Sequence, residues 1–249
     1  MKISVVTVVY NNAATIKDCI NSVLAQDYPD VEYIIIDGGS TDGTVEIVKG
    51  YGDKIDKFIS EKDKGLYDAM NKGIKIATGD VVGTLNSDDF FYDSHVLTNI
   101  ANAFTDEDTD AVIGDIVFIK DDAEQKVLRK YSSAKWLPRR FAWGYMPAHP
   151  SFFAKKSLFD GLGYYKTDYR IASDYELLIR FLFVNRINWK YLPLTTTKMR
   201  LGGASTQGIK SILILNKEIA RACNENGIYT NYLMIYSKYF FKPFEFIFK

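Results

Sequence analysis

The spacing of apolar and polar positions changes period regularly along the chain. Residues 3–10, Ile-Ser-Val-Val-Thr-Val-Val-Tyr, form a short, β-branched apolar run, as expected of a buried strand. A helix is expected over 14–26, where Ile16, Cys19, Ile20 and Val23 share one side. Strand 32–37, a glycine turn, a helix starting near Thr44, strand 57–61, helix 65–78 and strand 80–85 follow. Strand-helix alternation at this spacing predicts an α/β fold. Its central, mostly parallel sheet would have right-handed crossovers and helices on both faces. Such sheets bind ligands at the carboxyl ends of their strands. The polar clusters fall there: Tyr10-Asn11-Asn12, Asp37-Gly38-Gly39-Ser40, Glu61-Lys62-Asp63 and Asn86-Ser87-Asp88-Asp89.

Beyond Asp110 the pattern differs. Residues 111–119 read as a strand, Asp121-Asp122 as a turn and 126–131 as the return strand of a hairpin. Residues 132–155 read as irregular, with Pro138, Pro147 and Pro150. A helix over 174–185, a strand over 189–192 and a long amphipathic helix over 209–226 complete the pattern. No internal repeat, linker or low-complexity stretch interrupts it.

Composition narrows the function. Of 249 residues, 31 are basic and 31 acidic, a balance that argues against a nucleic-acid binder built on a chain-wide basic surface. Cys19 and Cys223 are too few for a disulfide scaffold or cysteine zinc site, and His95 and His149 too few for a histidine-rich one. Both cysteines fall on apolar helix sides, where a structural role is expected. The N-terminal run has no cleavage site and no stretch reaches the length of a membrane span, so a cytoplasmic location is expected.

Three constellations carry chemistry. Asp37, after four apolar or aromatic residues, needs a partner at its strand end and suits a nucleobase imide or ribose hydroxyl. The glycines behind it let backbone come close, and Gly43 and Thr44 read as turn and helix start. No Gly-x-Gly-x-x-Gly follows the first strand and no Gly-Lys-Ser/Thr loop occurs, which disfavours dehydrogenase and NTPase chemistry. Asn86-Ser87-Asp88-Asp89 places two carboxylates at a buried strand end, where they repel unless a cation sits between them. Oxygen ligands and a shared phosphate suit Mg²⁺ or Mn²⁺. Asp174, in Ser173-Asp174-Tyr175-Glu176, fits either a helix start or a general base. Glu176, two helical positions on, points elsewhere.

In order and spacing, Thr7-Val8-Val9-Tyr10-Asn11, Ile36-Asp37-Gly38-Gly39-Ser40-Thr41-Asp42-Gly43-Thr44 and Leu85-Asn86-Ser87-Asp88-Asp89 resemble glycosyltransferase family 2. These are inverting nucleotide-sugar transferases of GT-A fold. Glu61-Lys62-Asp63-Lys64-Gly65-Leu66-Tyr67-Asp68-Ala69-Met70-Asn71-Lys72-Gly73 looks like the branch that builds bacterial surface polysaccharides. The resemblance covers at least residues 1–205. It implies that Thr7, Tyr10 and Asp37 hold the nucleoside. The family's Asp-x-Asp falls on Asn86-Ser87-Asp88, so Asn86 and Ser87 line the donor and Asp88 is the principal metal ligand, with Asp89 beside it. Met70 stands where many relatives carry Arg, and Lys64 or Asn71 would take over that nucleotide contact. The family's base maps to Asp174. Pro147-Ala148-His149-Pro150 resembles a His-containing strand, which would place His149 against the acceptor or diphosphate; a satisfied structural histidine is the alternative. Met199-Arg200-Leu201-Gly202-Gly203-Ala204-Ser205 resembles a glycine loop in which Arg200 pairs with diphosphate; a solvated arginine is the alternative.

The implied activity is transfer of a sugar from a nucleoside-diphosphate-sugar donor, a UDP-sugar being favoured, to a hydroxyl of a glycan or lipid-linked glycan. Mn²⁺ or Mg²⁺ would assist. A non-catalytic nucleotide- or carbohydrate-binding module on the same fold is the alternative. A sugar-1-phosphate nucleotidyltransferase would need a basic glycine loop where Tyr10-Asn11-Asn12 stands. The resemblance divides the chain into one domain over 1–228, with a nucleotide-sugar half over 1–110 and an acceptor half over 111–228.

Two segments remain. Residues 125–143 carry Lys126, Arg129, Lys130, Lys135, Arg139 and Arg140 without an acid, interleaved with Trp136 and Trp143. Single-stranded nucleic acid, anionic lipid and the diphosphate of a lipid-linked acceptor all suit that chemistry; the transferase motifs favour the latter two, and no nucleic-acid partner is expected. A solvated face is the bland alternative. Residues 206–249 carry a net charge of +3, so the remainder carries −3. The tail over 229–249 holds nine Tyr or Phe, the composition of a segment that lies on a membrane surface. Pro243 would break it into two pieces. A helix docked on the domain or on a second subunit is the alternative.

Overall fold

A computed structural model describes residues 1–120, 125–201 and 208–241. The Asp121-Asp122 turn, the 202–205 glycine segment and Pro243 with the residues around it lie outside these. Strand β1 (Ile3–Val9) is buried along its whole length. It pairs in parallel with β2 (Val31–Asp37) on one edge and β4 (Val81–Asn86) on the other. β3 (Lys57–Ser60) extends the parallel layer beyond β2. Side chains alternate across this sheet. Ile3, Val5 and Val9 face one cluster with Ile16, Cys19, Ile20 and Val23 of α1 (Ile16–Leu24), and Val48 of α2 (Thr44–Lys49) joins them. Val6 and Val8 face the other, with Tyr67, Met70 and Ile74 of α3 (Leu66–Ile76). A Cβ on Gly73 would lie 2.2 Å from Val6 Cγ1, so glycine alone lets α3 sit this close to β1.

The sheet continues past β4 in the order β8 (Phe153–Lys155), β6 (Ala111–Ile119), β9 (Trp189–Arg200), β5 (Phe90–Phe91), and β7 (Val127–Tyr131) shares with β8 the edge of β6 opposite β9. The hairpin of β6 (Ala111–Ile119) and β7 (Val127–Tyr131) forms as expected. Short β5 (Phe90–Phe91) and α4 (Val96–Ala103) follow the acidic motif and carry no strong sequence signal. The irregular stretch holds 3-10 turns at Pro138–Trp143 and His149–Ser151, then β8 (Phe153–Lys155) and α5 (Lys156–Leu162). His149 thus lies in a turn, not a strand; Pro150 has no N–H to give a ladder.

The helix expected over 174–185 is α6 (Ser173–Leu178), running into a π-helical segment over Ile179–Val184. Strand β9 (Trp189–Arg200) is much longer than 189–192. Its polar threonines and Pro193 hide it in sequence. In space, Ile113 pairs with Tyr191 and Asp115 with Thr195, and the intervening residues bulge past Gly114. The bulge accommodates the proline. α7 (Ile209–Glu225) packs on α6. α8 (Tyr232–Phe241) packs on the Pro138–Trp143 turn and on α7, with Ile235 fully buried. The segment after 228 therefore starts as a helix docked on the domain.

Burial raises the Glu32 carboxyl, but Lys57 Nζ at 2.8 Å, Ser4 Oγ and Thr78 outweigh this and hold it down at about 2. The folded value lies below the unfolded one, near 4.5, so this stabilisation is full above that pH. It is lost as pH falls from there toward about 2. Denaturant titrations across that window should show a pH-dependent loss of stability that Glu32→Gln flattens; an unchanged slope would refute the assignment.

Candidate active site

Register dictates where the motifs meet. Val9 pairs with Asp37 and Val8 with Asn86, so three loops leave the sheet at one level. Those loops are tied together. Asn11, held at φ 47°, donates its N–H to Ser40 Oγ at 2.7 Å and accepts from Thr41 N at 2.8 Å. Ala13 N donates to Asp42 Oδ2 at 2.9 Å and Asn12 N to Thr44 Oγ1 at 3.0 Å. Asn12 Nδ2 donates to Ser87 Oγ at 2.9 Å. Asparagines 11 and 12, in the polar cluster at the end of the first strand, lace the site.

Asp37 is fully buried. Its Oδ2 accepts from Gly39 N and Ser40 N at 3.0 Å and from Ser60 Oγ at 2.7 Å. Its Oδ1 has no hydrogen-bond partner among the described residues. Such an orphaned carboxylate oxygen is costly and suits a ligand N–H or O–H. Gly39 sits at φ 84°, where glycine is the favoured residue. Tyr10, 66% exposed, stands beside Gly38 at the rim.

Asn86 Nδ2 donates to Asp89 Oδ2 at 3.3 Å, while Asn86 Oδ1 and Asp89 Oδ1 are buried without partners among the described residues. Burial and the neighbouring Asp88 charge push the Asp89 carboxyl well up. No group of three His, Cys, Asp or Glu among the described residues forms a complete metal cage. Two adjacent carboxylates and an orphaned amide oxygen do fit a cation that takes its remaining ligands from phosphate and water. Arg200 donates Nη1 to the Asp88 carbonyl at 3.0 Å, pairs with Asp18 and stacks over Phe90. It is therefore not a solvated arginine; it braces the acidic turn.

The second centre surrounds Asp174. Its Oδ2 lies 3.2 Å from His149 Nδ1, its Oδ1 accepts from Tyr175 N at 2.8 Å, and Tyr67 OH lies 3.4 Å from that oxygen. Its side chain keeps 16% exposure and that of His149 32%, so both remain reachable. Asp174 is one residue inside the helix rather than its cap, which is Ala172. Glu218 of α7 holds this entry: its carboxylate accepts from the backbone N–H groups of Arg170, Ile171 and Ala172 at 2.7, 2.8 and 2.9 Å. Glu176 is fully buried against Lys166 and Arg180, away from Asp174.

Tyr67 ties α3, packed on β1, to the segment that enters the Asp174 helix. It sits in the first turn of α3, after β3, and its hydroxyl donates to the Ile171 carbonyl at 2.5 Å. Lys64, Asp68, Tyr169 and Arg170 border the cavity of about 290 Å³ around it.

Two expected donor contacts are placed elsewhere. Thr7 is fully buried on the α1 side, with its hydroxyl at Tyr33 OH and Cys19 Sγ. Alternation along β1 turns it under the sheet. Asn71 spends its amide on Tyr165, donating to the carbonyl at 2.8 Å and accepting from the N–H at 2.9 Å. Sequence reasoning missed Glu218 and Tyr67, which look like ordinary amphipathic-helix residues until the helices dock.

A mixed sheet, parallel over β3-β2-β1-β4 and antiparallel where β4 meets β8, with an acidic strand-end turn and a separate carboxylate from the second half, has the layout of a GT-A-type glycosyltransferase fold. The chain belongs to glycosyl transferase family 2, whose model matches residues 4–164. It is 29% identical over 181 residues to a PGL/p-HBAD biosynthesis glycosyltransferase of Mycobacterium bovis (strain BCG / Pasteur 1173P2), covering 71% of this chain and 68% of that protein. It is 32% identical over 198 residues to an uncharacterized glycosyltransferase of Mycobacterium tuberculosis (strain CDC 1551 / Oshkosh), covering 73% and 69%. Among solved structures it resembles S. aureus TarS 1–349 in complex with UDP-GlcNAc, with TM-score 0.69 and 18% identity over 92% of this chain and 68% of that one. It also resembles a Pyrobaculum calidifontis mannosyltransferase in complex with GDP-Man and Mn²⁺, with TM-score 0.66 and 19% identity over 90% and 63%. The chain spans 41% of the longer TarS chain.

Removing the Glu218 carboxylate strands three N–H groups at the start of the helix that bears Asp174. Glu218→Ala should cost about 2–3 kcal/mol in urea unfolding, since bonds to a charged acceptor are among the stronger ones. A loss below about 0.5 kcal/mol would contradict the bracing role.

Proposed function

We propose that this protein is an inverting, metal-assisted hexosyltransferase of bacterial envelope polysaccharide synthesis. It moves a sugar from a nucleoside diphosphate, UDP being favoured, to a hydroxyl of a glycan acceptor carried on lipid. The observation that carries this reading is the reachable Asp174–His149 pair, joined through Tyr67 to the sheet that holds the orphaned Asp37 and Asp89 oxygens. Asp37 Oδ1 accepts from the nucleoside, and Tyr10 lies over it at the rim. Asp88, with Asp89 and Asn86, would hold Mn²⁺ or Mg²⁺, and such an ion would supply positive charge to stabilise the leaving diphosphate. Lys64 and Ser87 line the donor path.

Asp174 takes the proton of the acceptor hydroxyl as its oxygen attacks the anomeric carbon. The bond from that carbon to the diphosphate oxygen breaks in the same in-line step, so configuration inverts and the nucleoside diphosphate leaves. His149 steadies the carboxylate through Oδ2 and lies where acceptor or diphosphate arrives.

The division into one domain over 1–228 with donor and acceptor halves, followed by a membrane-facing segment over 229–249, is part of this proposal. Tyr229 and Leu233, 79% and 86% exposed, support surface contact. Among the described residues no helix is long and apolar enough to cross a membrane. The enzyme then works peripherally, on the cytoplasmic face of the membrane that carries its acceptor.

Asp174→Asn should lower transfer about 10²–10⁴-fold while calorimetric UDP affinity holds, the signature of a lost general base. Transfer at the wild-type rate would sink the base assignment; UDP binding without any transfer by the wild-type protein would favour a binding module. Asp37→Asn should weaken UDP roughly tenfold without touching the melting temperature. Asp88→Asn should remove the Mn²⁺ stimulation of donor hydrolysis; undiminished stimulation would place the cation elsewhere.

A further inference from the structure

The basic, aromatic stretch is sorted by the fold into used and unused charges. Lys130 pairs with Asp115 at 2.9 Å, and Arg129 lies over the Phe118 and Tyr131 rings. Arg139 and Arg140 are exposed, and neither guanidinium has an ion pair or hydrogen bond among the described residues. With Trp143 and Tyr145 they line a cavity of about 290 Å³. Trp143 is 47% exposed there. No acid occurs anywhere over 125–159. Two adjacent cations without counter-charge repel, and an anion between them relieves that cost.

The walls are braced. Tyr145 N donates to the Arg140 carbonyl at 3.2 Å, and the buried Trp136 donates its indole N–H to the Tyr145 carbonyl at 3.3 Å. Phe141, fully buried between the two arginines and Trp143, stacks edge-on against Tyr175 at 5.2 Å, and Tyr175 OH donates to its carbonyl. Tyr175 is the residue after Asp174. The turn that carries the two arginines therefore packs on the helix that carries the proposed base, and the chain runs from Tyr145 to His149 in four residues.

We propose that Arg139, Arg140, Trp143 and Tyr145 form an acceptor subsite for a phosphate-bearing group. The two guanidiniums take the phosphate oxygens through paired N–H donors. The exposed indole gives a flat apolar face for the sugar ring next to that phosphate. The subsite rests on the transferase reading above and gives it a substrate class: acceptors whose growing glycan is attached through a phosphate or diphosphate ester.

The test is calorimetric titration of the full chain with inorganic pyrophosphate, with saturating UDP present to fill the donor site. Saturable binding is expected, weakened at least ~10-fold in R139Q/R140Q and partly recovered in R139K/R140K, which keep charge but lose the planar fork. An unchanged melting temperature of the double variant shows that folding is intact. Two vesicle arms separate the sources. Recruitment by phosphatidylcholine vesicles holding a polyprenyl diphosphate identifies a membrane-borne acceptor; pyrophosphate binding without such recruitment identifies a soluble phosphorylated glycan. Equal recruitment by phosphatidylglycerol vesicles of matched charge, or pyrophosphate affinity unchanged in R139Q/R140Q, overturns the proposal. The titration needs no turnover, so its failure leaves the transfer reaction standing, and failed transfer leaves the titration readable.

Discussion

Strand β1 is hydrogen-bonded in parallel on both edges, and the site depends on that double pairing. Because Val9 faces Asp37 and Val8 faces Asn86, the chain emerges from three strands at one height. A slip of one residue would turn every side chain to the opposite face and bury the wrong set. The apolar faces forbid this, since Val6 and Val8 fit the close approach of Gly73 while Val5 and Val9 fit α1. Hydrophobic register and the placement of Asp37 beside the acidic turn are thus one constraint.

The polar half of the site is built at a cost. Asp37 Oδ1, Asn86 Oδ1 and Asp89 Oδ1 are buried without partners among the described residues, and each such atom opposes folding. Asparagines 11 and 12, Arg200 and the large apolar clusters offset it. In the proposed reaction the same atoms would meet the nucleoside and the cation with their hydrogen-bonding capacity already oriented. The second centre follows the same logic. Asp174 is left partly open, while Glu218, Tyr67 and His149 hold its surroundings from three different elements.

Legibility followed the range of the interactions. Strand-helix alternation, the acidic turn and the Asp174 motif depend on local pattern, and local pattern is what a sequence displays. β9 was masked by Pro193 and its threonines, because its burial comes from the distant β6. Thr7 reads as a strand-end polar residue, yet alternation puts it beneath the sheet. Asn71 stands in a motif that suggests ligand contact, yet Tyr165, brought across by the fold, uses both ends of its amide. The aromatic-rich C-terminal segment has a partly internal explanation, since Tyr239 of α8 is half-buried and accepts from Asn216 of α7 while Tyr229 and Tyr232 are exposed.

The sequence by itself determined the α/β class, the strand ends that bear chemistry and the carboxylates at them, because periodicity and residue type are properties of neighbouring positions. Only the tertiary structure decided which polar atoms are already paired. It joined His149 to Asp174, set Glu218 under the helix that bears Asp174 and left Arg139 and Arg140 without a counter-charge among the described residues. Those outcomes hinge on residues tens of positions apart meeting within a few ångströms, and that proximity exists only after the sheet has closed and the helices have docked.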